Sequence, residues 1–122
     1  MKLVIPINPV TKKNHSQVVM IHGRPMVLPS KPYKEFEKAC KEYMPVMEQP
    51  IDYPINLKCH YYMQTRRKCD ITNLLQATCD ILVKYGVLED DNYTIVASTD
   101  GTRVFYDKEN PRTEIYIEKK DE

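Results

Sequence analysis

The feature that most limits the fold is a change of period in the middle of the chain. Ile55, Leu57, Cys59, Tyr61 and Met63 alternate with Asn56, Lys58, His60 and Tyr62. Successive strand residues point to opposite faces, so this stretch reads as a half-buried strand. A few residues later the period lengthens. Ile71, Leu74, Leu75, Thr78, Cys79, Leu82 and Val83 fall on one side of a helix, and Gly86 stands where a C-terminal cap belongs. A strand with one apolar face beside a helix with one apolar stripe has to be built into a layered domain.

The flanking segments extend that frame. Lys2–Asn8 reads as a first strand ended by Pro9. Gln17–Ile21 and Met26–Leu28 surround His22-Gly23-Arg24-Pro25, which predicts a hairpin. Ser30 is placed to cap a helix with Pro32 in its first turn. Tyr33, Phe36, Ala39, Cys40, Tyr43 and Met44 then recur at helical spacing until Pro45. Thr94–Ser98, Arg103–Tyr106 and Thr113–Glu118 read as strands joined by turns at Asp100-Gly101 and Glu109-Asn110-Pro111. The order βββαβαβββ predicts an α+β fold in which a mixed or antiparallel sheet packs with two main helices. A chain of 122 residues has room for one core, so residues 1–122 are expected to form a single small domain.

Several functional classes drop out. No apolar run approaches the roughly 18–20 residues of a membrane span. The stretch before Pro6 is too short for a signal-peptide core, so a cytoplasmic protein without a membrane partner is expected. The 3 glycines are too far apart for a phosphate-cradling loop, which argues against a nucleotide cofactor. Cys40, Cys59, Cys69 and Cys79 contain no C-x-x-C pair, and His15, His22 and His60 do not complete a zinc set. At least three of the four are expected to be reduced core thiols. Tyr33, Tyr43 and Tyr61 are likewise expected in the core. The net charge of +1 hides a split: residues 1–61 carry nine Lys/Arg against five Asp/Glu, and residues 62–122 carry nine against twelve. The basic excess lies between Lys2 and Lys41 and points to an anionic partner.

The segment Arg66-Arg67-Lys68-Cys69-Asp70-Ile71-Thr72-Asn73 carries the most chemistry. Three cations at the end of a strand precede an acid at the mouth of a helix. Asp70 can be read simply as a helix cap beside solvated cations. It can also be read as a carboxylate that holds a divalent cation next to a phosphate grip, which is the pairing a nuclease needs. A second acidic cluster, Glu89-Asp90-Asp91, follows the helix. From Asn73 to Lys84 the helix is about 17 Å long, and six extended steps from Tyr85 cover about 20 Å. Asp91 can therefore approach Asp70 only if the chain runs back along the helix; otherwise the two meet only across a subunit interface. Asp80, about 15 Å along the helix from Asp70 and on another face, is expected to support the site without sharing that metal.

Asp70-Ile71-Thr72-Asn73-Leu74, then Asp80, then Gly86-x-x-x-Asp90-Asp91 resembles the signature of the RusA family of Holliday junction resolvases. In that family an arginine-rich stretch precedes D-x-D-N-L, an aspartate recurs within the helix and a glycine leads to a D-D pair. The spacing agrees from Arg66 to about Val96, and Ile5-Pro6 and Thr113–Glu118 resemble the family's first and last strands more loosely.

The resemblance implies a homodimeric, Mg²⁺-dependent endodeoxyribonuclease (Mn²⁺ being an alternative ion) that binds four-way DNA junctions. It would cut them by paired phosphodiester hydrolysis in recombination or repair, often in a prophage setting. It implies Asp70 and Asp91 as catalytic metal ligands with Asp90 beside them, and Asn73 and Asp80 as supporting residues. Thr72 stands where the family has a second catalytic aspartate, and Gln76 replaces a helix lysine that assists some members. A hydroxyl is a weaker ligand than a carboxylate, so a catalytically weakened, branched-DNA-binding dimer is the alternative. A third reading is a phage accessory protein acting through protein contacts, its carboxylates serving as caps. Two-fold junctions favour a two-fold dimer. Arg66, Arg67, Lys68, Lys12 and Lys13 are the main candidates for phosphate contacts, with Arg24 and Lys31 further ones.

Overall fold

In chain order the elements are β1 (Lys2–Ile5), β2 (Ser16–Ile21), β3 (Arg24–Pro29), α1 (Lys31–Cys40), β4 (Ile55–Met63), α2 (Ile71–Lys84), β5 (Val96–Ser98), β6 (Arg103–Tyr106) and β7 (Arg112–Lys119). The computed structural model describes residues 1–12, 16–29 and 31–120, with only the backbone course given for 16–19 and 27–29. Lys13, a candidate phosphate contact, and Ser30, the candidate helix cap, lie outside the described residues. The order is the βββαβαβββ read from the sequence, and it builds one small α+β domain.

The alternation in β4 sets the architecture. Ile55, Leu57, Cys59 and Tyr61 are buried, while Asn56, Lys58, His60 and Tyr62 on the other face remain partly exposed. β7 pairs antiparallel along β4 from Tyr62↔Arg112 to Ile55↔Lys119, and β1 pairs antiparallel with the outer edge of β7. On the opposite edge of β4, β5 pairs parallel near its start and β6 parallel near its end. The sheet is therefore mixed. Its buried face, with both helices, forms one apolar cluster that includes Ile5, Tyr33, Phe36, Leu74, Ile81, Leu82 and Ile115. Burying each such side chain is worth about 1.5–3 kcal/mol, which makes this cluster the main source of stability. A polar bridge through it joins Tyr61 to Thr78, whose hydroxyls lie 2.7 Å apart.

β2 and β3 form a separate two-stranded sheet, the expected hairpin. His22 and Gly23 at its tip have φ of 51° and 76°, the left-handed pair that a tight two-residue turn requires.

Four local expectations change. β1 ends at Ile5 and not near Asn8, because Pro6 has no N–H for the ladder and the Ile7 N–H turns back to the Ile5 carbonyl at 2.9 Å. α1 tightens into a 3₁₀ turn at Lys41–Tyr43, which leaves Tyr43 38% exposed instead of in the core. Ile71 is also 38% exposed, since it lies in the first turn of α2, whereas Ala77 and Ile81 join the buried stripe. Cys40, Cys59 and Cys79 are free and buried, as expected, and Cys69 is half-buried. No helix among the described residues is long and apolar enough to cross a membrane.

Candidate active site

Helix α2 organises the polar chemistry. Asp70 occupies its N-cap with extended backbone (φ −75°, ψ 128°), and its carbonyl accepts the Asn73 and Leu74 N–H groups. Its side chain makes no capping hydrogen bond. The exposed carboxylate instead accepts the Asn73 side-chain amide at 3.4 Å, a weak contact that leaves most of its acceptor capacity unused. Asn73, Gln76 and Asp80 then follow at three- and four-residue steps, so α2 carries a polar stripe beside its apolar one. Thr72 is exposed in the first turn.

The end of α2 turns the chain back toward this stripe. Gly86, at φ 74°, closes the helix: its own N–H reaches the Val83 carbonyl and the Val87 N–H reaches Leu82. This is the paired 6→1 and 5→2 cap that a residue in the left-handed region makes possible. Val87 and Leu88 then sink into the core, with Leu88 bridged to Ile51. Anchored there, the loop brings Asp91 alongside the helix. Its Oδ2 accepts the Gln76 amide at 3.3 Å, and the same amide nitrogen donates to Asp80 Oδ1 at 2.9 Å.

Asp91 thus shares a donor with Asp80, while Asp70 is bonded to Asn73. The two expected metal ligands belong to separate hydrogen-bond networks along one helix face. Asp90 accepts the Asp91 backbone N–H and the Asn92 amide, both at 2.8 Å, and these bonds hold its carboxyl below the usual range. Lys12 closes the cluster: its ammonium lies 3.0 Å from Asp80 Oδ2. Lys12, Glu37, Asp80, Lys84, Asp90 and Asp91 line one open cleft, in which Lys84 pairs with Glu37.

The cleft's negative field reaches the groups beneath it. Burial pushes the Cys79 thiol up to about 12, and the charge of Asp91 adds to the shift. Burial also raises the Tyr33 phenol, reinforced by Glu37 and Asp80. That hydroxyl is buried and has no hydrogen-bond partner among the described residues, while Lys12 stands 5.6 Å from the ring centre.

The basic residues gather at the other end of α2. Arg66, Arg67 and Lys68 are all exposed in the loop that leads into the helix. Arg66 stacks on Tyr106 at 4.1 Å, and Arg67 and Lys68 line a second opening with Asn8, Thr11 and Thr65. Arg24 is exposed, and Lys31 pairs with Glu35 at 3.9 Å. The sequence reading missed two features. The Gln76–Asp80 bond was available from i, i+4 spacing. Nothing local marks Lys12 as a partner of Asp80, 68 positions along the chain.

Among the described residues, no three His, Cys, Asp or Glu side chains converge as a metal-holding group. A hydrated divalent ion of the magnesium type needs only one or two protein carboxylates and completes its shell with water and substrate phosphate. The carboxylates present do not suit a closed protein cage.

The result is a small mixed-sheet domain with carboxylates along one helix and arginines at its mouth. The family model Endodeoxyribonuclease RusA matches residues 6–118, and the chain belongs to that family of Holliday junction resolvases. Comparison with curated proteins gave no match.

Proposed function

We propose that this chain is a Mg²⁺-dependent endodeoxyribonuclease that resolves four-way DNA junctions by paired phosphodiester hydrolysis. It acts as a cytoplasmic homodimer in recombination or repair, with residues 1–122 as one domain. The observation that carries this reading is the return of Asp91 to the polar face of α2, the helix whose N-terminus bears Asp70 and the arginine cluster. Carboxylates and candidate phosphate-binding cations then lie around one helix, the pairing that a nuclease needs.

Each residue has a physical role in this reading. Arg66, Arg67 and Lys68 grip backbone phosphates and release counterions, so binding weakens steeply with salt. Asp70 and Asp91 supply oxygen ligands, with Asp90 next to them, and Asn73 steadies Asp70. A divalent cation held by these carboxylates would supply Lewis-acid stabilisation of the leaving oxygen and would lower the pKa of a bound water. Thr72 contributes a neutral hydroxyl where a third carboxylate would bind the ion more strongly. Two copies related by a two-fold axis match the symmetry of a junction cut on two strands.

Cleavage of a synthetic four-way junction in Mg²⁺ or Mn²⁺, compared with linear duplex, tests the proposal. Paired nicks near the crossover are expected. Tight junction binding without cuts would replace the enzyme with a branched-DNA-binding dimer, the reading that Thr72 favours. Failure to prefer branched over linear DNA in low salt would remove both. Thr72→Asp separates a weakened site from a sufficient one. A gain of roughly tenfold or more in rate is expected if the missing charge limits metal binding. An unchanged rate would mean that another ligand already fills the role.

A further inference from the structure

We propose that Lys12 is a positioning residue of the cleft: through Asp80 and Gln76 it sets the orientation of Asp91. The inference rests on the reading of this cleft as the active site. The contacts form an unbroken relay. Lys12 Nζ lies 3.0 Å from Asp80 Oδ2, Asp80 Oδ1 accepts Gln76 Nε2 at 2.9 Å, and the same nitrogen reaches Asp91 Oδ2 at 3.3 Å. Both oxygens of Asp80 are engaged, one by each partner, which fixes the plane of its carboxylate.

The charges explain why a cation is needed. Glu37, Asp80, Asp90 and Asp91 crowd one cleft, and Lys84 is drawn to Glu37. Asp80 and Asp91 would then repel each other across a single neutral amide. The Lys12 ammonium offsets the charge of Asp80, so the Gln76 amide can bridge both carboxylates instead of being pushed aside.

Lys12 is also held where a surface lysine would ordinarily wander. Thr11 before it is 2% exposed, and Val10 packs against the core. Asn8, in the same connection, accepts the Gln64 N–H at 2.9 Å. The Tyr33 ring lies beneath the ammonium at 5.6 Å. Because the Lys12 side chain is still 44% exposed, the pair contributes little to stability. Its effect is on geometry.

Lys12→Met and Lys12→Arg test the relay, each first checked for an unchanged melting temperature. In Lys12→Met, kcat on a four-way junction is expected to fall roughly 10- to 100-fold, the range seen when an outer partner of a ligand is lost. KM and junction affinity in metal-free buffer should stay within about twofold. The side-chain amide resonances of Gln76 should move. Lys12→Arg should keep most of the rate. A loss of affinity with kcat intact, and a salt slope reduced by about one, would make Lys12 a phosphate contact and overturn the proposal. Unmoved Gln76 resonances in Lys12→Met would overturn it as well. If the wild type cuts no junction, the nuclease reading fails separately, and the Gln76 resonances alone decide the relay.

Discussion

Two charged networks of similar composition sit on opposite sides of the sheet, and they are finished to different degrees. On the outer face, Arg112 Nε donates to Glu114 at 2.9 Å, and one terminal nitrogen donates to Asp107 at 3.0 Å and to the Asn110 carbonyl at 2.9 Å. Its guanidinium lies 3.7 Å from the Tyr62 ring centre, and Tyr116 donates its hydroxyl to the other Glu114 oxygen. Three guanidinium N–H groups and the Tyr116 hydroxyl thus have acceptors, and both Glu114 oxygens are engaged. Along α2, by contrast, Asp70 at the helix mouth has one side-chain contact at 3.4 Å and Asp91 in the cleft has one at 3.3 Å. Carboxylates that are saturated by the protein hold the fold together. Those with spare acceptor capacity, next to cations, are equipped for an external ligand.

The contrast breaks if the cleft turns out to be structural. On the proposed assignment, Asp91→Asn and Asp70→Asn should each lower junction cleavage by roughly 100-fold or more, the effect expected when a charged metal ligand worth several kcal/mol in the transition state is removed. For Asp91→Asn urea midpoints should stay level or rise, because a like charge leaves the acidic cleft; for Asp70→Asn they should fall slightly, because an anion leaves a helix N-terminus that follows three cations. Single-turnover cleavage and denaturation of the same preparations check both. If Asp70→Asn cuts as fast as wild type, the assignment of Asp70 to the metal is wrong, and the Asp80–Gln76–Asp91 group is the place to seek the ligands.

The converse change sharpens it. Arg112→Met should cost about 2 kcal/mol of stability, because it strands Glu114 and Asp107 without their shared partner. The Arg112 and Glu114 side chains are only 19% and 15% exposed, so water compensates incompletely. Cleavage and junction binding should be unaffected. Urea denaturation measures the first and a gel-shift titration the second; a lost affinity with unchanged stability would move Arg112 into the DNA surface.

What could be read from sequence follows the range of the forces involved. Periodicity located β4 and α2, because burial on one face repeats every two residues or every three to four. Gly86 marked the helix end, since its left-handed backbone is a local requirement. The relay was hidden because hydrogen-bonded partners distant in sequence leave no periodic trace: Lys12 meets Asp80 only after the chain passes over the core. Asp70 illustrates the intermediate case. Its position at the N-cap was legible, but whether its side chain would be spent on the cap depended on a rotamer. Likewise the return of Asp91 was within reach of an extended chain, yet its partner, Gln76, was set by the anchoring of Val87 and Leu88.

The smallest effect distinguishes the networks by pH. The hydrogen bond from Arg112, then that from Tyr116, holds the Glu114 carboxyl below its ordinary value, with burial opposing them. A carboxyl whose folded pKa is depressed stabilises the protein fully above its unfolded pKa, near 4.3 for a glutamate. That contribution is lost as pH falls through the lower folded value. Arg112 stays charged throughout, so within the Arg112–Glu114 pair it is the carboxylate that titrates. The stability difference between wild type and Glu114→Gln should therefore shrink between about pH 6 and about pH 3, by no more than about 1 kcal/mol for a pair still partly open to solvent. Urea midpoints across that interval measure it. A constant difference would show that Glu114 acts through packing and that its charge is already screened. The outer network would then be held by Asp107 and the stacked Tyr62 instead of the Arg112–Glu114 pair.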